Sequence, residues 1–426
     1  MKFTKLSLVA AMLIGSSAFA IDNTKVSGDA RAYYGTQDSD ASGAADIFDK
    51  DASYTNFSAH LDLTTDLTKG VSAGVGMQVV TTLGVEHNIV SAVWSNAHKA
   101  SASTGASFAG GNQVDSAMWV DEAWLAGTAF DTTLKIGRQA LDTPLAFTET
   151  WGVDKNTFEA IVLINQSLPD TTVIATYIGK SNGSADDRTS LAEGGAGNLL
   201  DAGLVQAGYV AADGKFSTFG TNGTYCFGAI NNSFKPLTVQ AWYYDMINLA
   251  EAYWVQADIN MDGVLAGVQV ANTEADASSK DTTAWAGMIG YEMKDVATFK
   301  VAYSDVDEDG LLGVANTATG TFATQGGQSK LYTEMWWNYG NVSAVGAESY
   351  AISAETNAVG VDWFLGYYDC EIEDTTGTTT TDISEVTLTA SKSFGPLDTS
   401  LAVIYADRDV ADLTTTDVQV YLTYNF

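Results

Sequence analysis

The stretch DVDEDG, residues Asp305 to Gly310, sets Asp305, Asp307 and Asp309 at alternate positions ahead of a glycine. Carboxylates at that spacing, with glycine for the sharp turn, form the first half of a calcium-binding loop. The twelfth position is Asn316 rather than the bidentate glutamate that completes such a loop. The stretch therefore reads either as a weak Ca²⁺ site on an outer loop or as a solvated acidic loop. DINMDG, Asp258 to Gly263, repeats the spacing but reads as a tight turn. Three scattered histidines, His60, His87 and His98, and two cysteines, Cys226 and Cys370, do not make the ligand set of a zinc site. No Ser–His pairing visible at a strand rim supplies an activated nucleophile, so no enzyme is read here. What dominates is fixed negative charge: 52 Asp and Glu against 20 Lys and Arg, a formal −32. That balance excludes nucleic acid as a partner and attracts cations.

The elements that must carry these groups alternate at period two. NFSAHLDLTTDL puts Phe57, Ala59, Leu61 and Leu63 on one face and Asn56, Ser58, His60 and Asp62 on the other. The strand near Thr24 to Thr36 turns Asp29 and Arg31 to the polar side in the same way. EAYWVQADINMDG and DISEVTLTASKSFG repeat the pattern, and the last ten residues, DVQVYLTYNF, set Val418, Val420, Leu422, Tyr424 and Phe426 against polar neighbours. Tight turns are read at Asp66 to Gly70, Phe130 to Thr132, Leu168 to Asp170, Lys235-Pro236, Asn260 to Gly263, Met293 to Val296 and Gly395 to Asp398. Long polar segments fall between them: Val85 to Asp115, Leu141 to Thr157, Ser181 to Gly223, Val306 to Gln328 and Asp369 to Thr381. Helical spacing is convincing only around Leu199 to Ala212.

Short turns at one end and long loops at the other define a transmembrane antiparallel β-barrel, an all-β fold with short periplasmic turns and long extracellular loops. No apolar run is long enough for a transmembrane helix. With Ser181 to Gly223 taken as one loop the count is 18 strands, and with a strand pair inside it, 20. Strand boundaries are hardest to see from Asn338 to Asn357. Residues 1–20 read as a secretory signal: Lys2 and Lys5, an apolar run from Leu6 to Ile14, then Ala18-Phe19-Ala20. Its removal takes the formal charge from −32 to −34. Residues 21–426 show no linker and read as one domain in the bacterial outer membrane, among lipid and lipopolysaccharide. An oxidising compartment permits a Cys226–Cys370 disulfide without requiring it. A terminal strand ending on Phe426 resembles the signal read by the outer-membrane barrel-assembly machinery.

From Leu134 the chain reads LKIGRQALDTPLAFTETWGVDKNTFEA. Gly137-Arg138-Gln139, Asp142 to Pro144 and Asn156 to Ala160 resemble OprD-type porins and, more closely, the acidic major outer-membrane proteins of epsilonproteobacteria. The resemblance is sharp over Leu134 to Ile178 and Gly223 to Val270 and diffuse elsewhere. It implies an 18-stranded, often trimeric pore whose third outer loop, Leu141 to Thr157, folds inward as a constriction. The implied charged groups there are Asp142, Glu149, Asp154 and Lys155, with Arg138 at the root. Alternation alone sends Arg138 toward lipid, whereas the resemblance implies an inward side chain. The resemblance also implies calcium near the constriction, with no ligands assigned; no cofactor is required for diffusion. OprD-type channels for carboxylate solutes carry a ladder of basic residues, and here the arginines are only Arg31, Arg138, Arg188 and Arg408. The expectation is therefore a passive, cation-selective porin. A substrate-selective OprD-like channel and a barrel-anchored adhesin or structural protein are the alternatives.

Overall fold

The computed structural model describes residues 22–85, 88–90, 92–93, 117–183, 214, 216–319, 328–373, 379–409 and 413–426. The signal segment, the helical spacing near Leu199 to Ala212, and His87 and His98 lie outside the described residues. The barrel strands are β1 (Asp22–Ser39), β2 (Ser53–Thr68), β3 (Val71–Thr81), β4 (Ala117–Ala129), β5 (Thr132–Gln139) and β6 (Phe158–Asn165). They continue as β7 (Thr171–Ser181), β8 (Thr224–Asn231), β9 (Leu237–Met246), β10 (Ala250–Met261), β11 (Val264–Ala275) and β12 (Asp281–Met293). The last six are β13 (Ala297–Val306), β14 (Ala347–Ala358), β15 (Val361–Glu373), β16 (Thr380–Phe394), β17 (Leu397–Arg408) and β18 (Leu413–Asn425).

Each strand pairs antiparallel with its chain neighbours, and β18 pairs back onto β1 from Asp29↔Asn425 to Ser39↔Thr415. The sheet therefore closes with 18 strands, and closure satisfies the backbone groups that a bilayer cannot hydrogen-bond. Phe426 is held in the ladder by two backbone bonds to Gly28, at 2.9 and 3.0 Å. Two-residue strands at Ala92–Val93 and Ser217–Thr218 attach to β2 and β7 beyond the main ladder.

Alternation sorts side chains as the sequence predicts. Along β10, Ala252 and Trp254 are buried inward while Tyr253 and Val255 face out. Outward aromatics stack near the long-loop end, with Trp285–Tyr303 and Tyr303–Tyr350 centroids each 4.9 Å apart and Tyr177–Tyr225 at 5.2 Å. Such rings favour a membrane interface, apolar on one side and wet on the other. At the opposite end the connections shrink to two residues at Phe130-Asp131, Asp262-Gly263 and Val359-Gly360. All six residues have positive φ, the backbone of hairpin turns that match strand twist. The Val359-Gly360 turn lies just past the segment whose strands the sequence leaves indistinct.

The apolar core lies inside the barrel. Leu145 and Ala146 from the third outer loop, and Leu312, Val314, Leu331, Met335 and Val342 from the seventh, cluster with Trp242, Tyr244 and Trp254 of the wall. Val306 to Gln328, read as a solvated external segment, thus begins a second inward fold: its residues 311–319 are largely buried. Cys226 and Cys370 are free thiols, buried on the non-adjacent strands β8 and β15, so the permitted disulfide is not formed. A disulfide needs its Cα atoms within about 7 Å.

Candidate pore constriction

The third outer loop turns on itself at Asp142 to Phe147, where Thr148 N donates to Leu141 O at 2.8 Å. Its tip reaches one wall, with Leu145 N donating to Tyr244 Oη of β9 at 3.2 Å. Its second half is tied to the other wall. Arg31 of β1 donates to Gly152 O at 2.9 Å, and Ser58 of β2 to Val153 O at 2.5 Å. Thr157 Oγ1 donates to Asp121 O of β4 at 2.7 Å. The loop therefore crosses the lumen.

The seventh loop interlocks with it. Asn316 Nδ2 donates to Phe147 O at 2.9 Å and to Glu149 Oε1 at 3.0 Å. Thr317 donates twice to Leu145 O, from N at 2.8 Å and from Oγ1 at 2.6 Å. Glu149 also accepts from Thr319 Oγ1 and from Gln328 N. Lys330 pairs with Asp142, and Trp151 meets Trp337 edge-on at 6.1 Å. Wall groups fix the far side. Glu385 of β16 accepts the backbone N–H of Trp336, Trp337 and Asn338 at 3.1, 3.0 and 2.7 Å. Tyr332 Oη donates to Asp258 Oδ1 of β10 at 2.5 Å, and Arg408 of β17 donates to Asn338. Within the loop, half-buried Glu334 accepts from Ser329 N and Gly340 N, both at 2.6 Å. Burial pushes its carboxyl up to about 7.

Most of the sequence-predicted residues meet here. Asp142, Glu149 and Lys155 lie in the crossing loop with the partners given above and below, and Asp154 is buried within it. Asp29, Arg31, His60 and Asp62 face inward and gather beneath it. Arg31 Nε meets Asp29 Oδ1 at 2.7 Å, His60 Nε2 meets Asp121 Oδ2 at 2.9 Å, and His60 Nδ1 meets Asp62 Oδ2 at 3.3 Å. Lys155 Nζ joins them through Glu122 at 2.5 Å and Asp121 at 3.6 Å. Burial works against its ammonium, but Glu122 and Asp121 outweigh that and hold its pKa above the ordinary lysine value.

Arg138 is a correction. It shares the outward face of β5 with Leu134 and Ile136, and pairs with Glu159 across the strand at 3.0 Å. Its Nη1 donates to Val120 O at 2.7 Å, and its guanidinium lies 4.1 Å from the Phe216 ring. Strict alternation wins over the inward reading. Gly137 cannot be exchanged to alter this: its φ is +125°, and a Cβ there would sit 2.1 Å from Ala123 O.

The predicted metal triplet is also dispersed. Asp305 lies on the outward face of β13, Asp307 accepts Thr283 N at 2.9 Å, and Asp309 pairs with Lys280 at 3.6 Å. Among the described residues no three His, Cys, Asp or Glu side chains are grouped to hold a metal ion. The residues do not fit a calcium loop there.

Asp121, Glu122, Glu334 and Glu385 have no role in the sequence reading, and Asn316 and Arg408 enter it only as the missing calcium ligand and as one of four arginines. Asp121 and Glu122 are consecutive, so alternation can send only one of them inward. A bulge in β4 opposite Gly76 and Met77 leaves Asp121 as the extra residue, and both carboxylates reach Lys155. Glycine at position 76 lets two carboxylates pack against the backbone: a Cβ there would lie 2.8 Å from both Asp62 Oδ1 and Asp121 Oδ1. Asp121 Oδ1 is buried and has no hydrogen-bond partner.

A closed 18-stranded antiparallel barrel with its outer loops folded into the lumen is the architecture of outer-membrane porins. Similar solved structures follow this description. OccAB1 of Acinetobacter baumannii superposes with a TM-score of 0.68 at 13% identity, over 96% of this chain and 98% of that one. OpdQ of Pseudomonas aeruginosa gives 0.67 at 14% identity, over 95% and 97%. OccK8 (OprE) of the same organism gives 0.66 at 11%, over 95% and 98%. These are porins of the OprD/Occ type, and at such identities the likeness is one of fold. No family model and no curated protein sequence matches the chain.

Proposed function

We propose that this protein is a bacterial outer-membrane porin, passing ions and small hydrophilic solutes by passive diffusion with a preference for cations. It needs no cofactor for this and performs no catalysis. The observation that carries the reading is the cluster of inward carboxylates Asp29, Asp62, Asp121 and Glu122 beneath the crossing loop, with the Oδ1 atoms of Asp62 and Asp121 side by side at Gly76. Fixed carboxylates in a narrow, low-dielectric passage favour cations over anions. A passing cation would meet the partly exposed Asp62 carboxylate, with the buried Asp121 charge behind it, and keep the rest of its shell as water. The nearby basic groups are committed, Arg31 to Asp29 and Lys155 to Glu122. Kinship with the epsilonproteobacterial major outer-membrane proteins, export by the N-terminal signal and assembly as a trimer belong to the same proposal.

Purified, refolded protein in planar bilayers should give ohmic single-channel steps. Asp62→Asn should lower the cation-to-anion permeability ratio roughly two- to fivefold, the scale of one fixed charge at a constriction. Unaltered selectivity in that variant would remove the residue from the filter.

A further inference from the structure

The two interlocked loops leave a cavity of 470 Å³ between them and the wall. Four aromatic rings line it from four different elements: Trp151 of the third loop, Trp336 of the seventh, Tyr368 of β15 and Tyr421 of β18. A concave space of this size with aromatic walls and a few polar groups is the usual form of a small-molecule site. Two side chains able to carry a charge near neutral pH, Arg31 and Glu334, border it, and neither offers an uncommitted charge. Arg31 directs Nε and Nη2 at Asp29 and Nη1 at Thr150 O and Gly152 O. Glu334 spends its oxygens on Ser329 and Gly340. A solute with a net charge finds no counter-ion here, and leaving a charge unpaired is costly. A purely apolar ring fits no better, because Ser400, Thr423, Thr150 and Gln328 also line the space. A ring with apolar C–H faces and a rim of hydroxyls satisfies both halves.

We propose that this cavity is a transit site for uncharged polyhydroxy rings, that is, pyranose sugars, which lie against the Trp151 and Trp336 rings as they pass. The inference rests on the pore reading and adds a solute class to it. It differs from cation preference, which resides in the carboxylates near Gly76. Recognition by ring faces discriminates between a closed sugar and its open-chain alcohol, which has similar size and hydroxyl content but presents no flat face.

The test is single-channel recording on the refolded full chain, with glucose, maltose, sorbitol or benzoate added to the bath. Glucose and maltose should give resolvable current interruptions, with an apparent affinity about tenfold above that of sorbitol, equivalent to about 1.4 kcal/mol. Trp151→Ala combined with Trp336→Ala should abolish that difference, and Trp151→Phe, which keeps a ring, should retain it. A conducting pore that treats glucose and sorbitol alike, or that benzoate interrupts more strongly than glucose, overturns the inference and leaves the pore reading standing. A folded barrel that never conducts overturns both.

Discussion

Three glutamates hold the inward loops, each by accepting several donors: Glu149 between the two loops, Glu334 inside the seventh, and Glu385 from the wall. Hydrogen bonds to a charged acceptor contribute about 1.5–3 kcal/mol each. Glu385→Gln keeps the shape but loses the charge facing three backbone N–H groups. It should loosen residues 336–338 and make open-channel current noisier, with faster proteolysis in that segment; a quiet, protease-resistant channel would contradict this role. Glu334 makes a prediction of opposite sense. Its carboxyl, raised by burial from 4.5 to about 7, binds its proton more tightly in the docked loop than in a released one. Docking is therefore most stable below about 4.5 and loses stability as pH rises through that window toward 7. Conductance should rise between pH 5 and pH 8, and Glu334→Gln should flatten the change. A channel that opens on acidification would refute the assignment. Arg138 shows what residue types alone conceal: its outward direction is written in the period-two alternation, and only the motif around it suggested otherwise.

At the scale of elements, strands were legible because each carries its own face assignment locally, as β2 and β18 do. The barrel's order and closure follow from the same pattern plus short turns. The seventh loop was not legible, because what draws it inward is distant in sequence: Glu385 is 47 residues from Asn338, and Glu149 is 167 from Asn316. Its composition is that of any polar loop until those partners are known. The β4 bulge is hidden for a related reason, since one extra residue resets alternation without altering composition. The turn at Val359 offers a test of local design. A β-branched residue at φ +54° and 90% exposed gains nothing from burial and adopts a backbone that asparagine tolerates better. Val359→Asn should stabilise the β14–β15 hairpin by about 0.5–1 kcal/mol, visible as a higher temperature for loss of the folded band on gels. An unchanged or lower temperature would show that the turn is not strained.

For the whole molecule, an apolar exterior band, an aromatic girdle at the loop end and a polar, loop-filled interior form one consistent arrangement. The high negative charge, puzzling for a compact domain, is spread over the loops, the lumen and the loop-side ends of the strands, where Asp305 and Glu348 face outward. The claim on which the rest depends is that ions cross between the two loops and that cations do so preferentially. The most direct measurement is the reversal potential of the refolded protein in a planar bilayer under a KCl gradient. A potential with the sign of the potassium equilibrium potential is the predicted result. A potential near zero, or one with the sign for chloride, would contradict it.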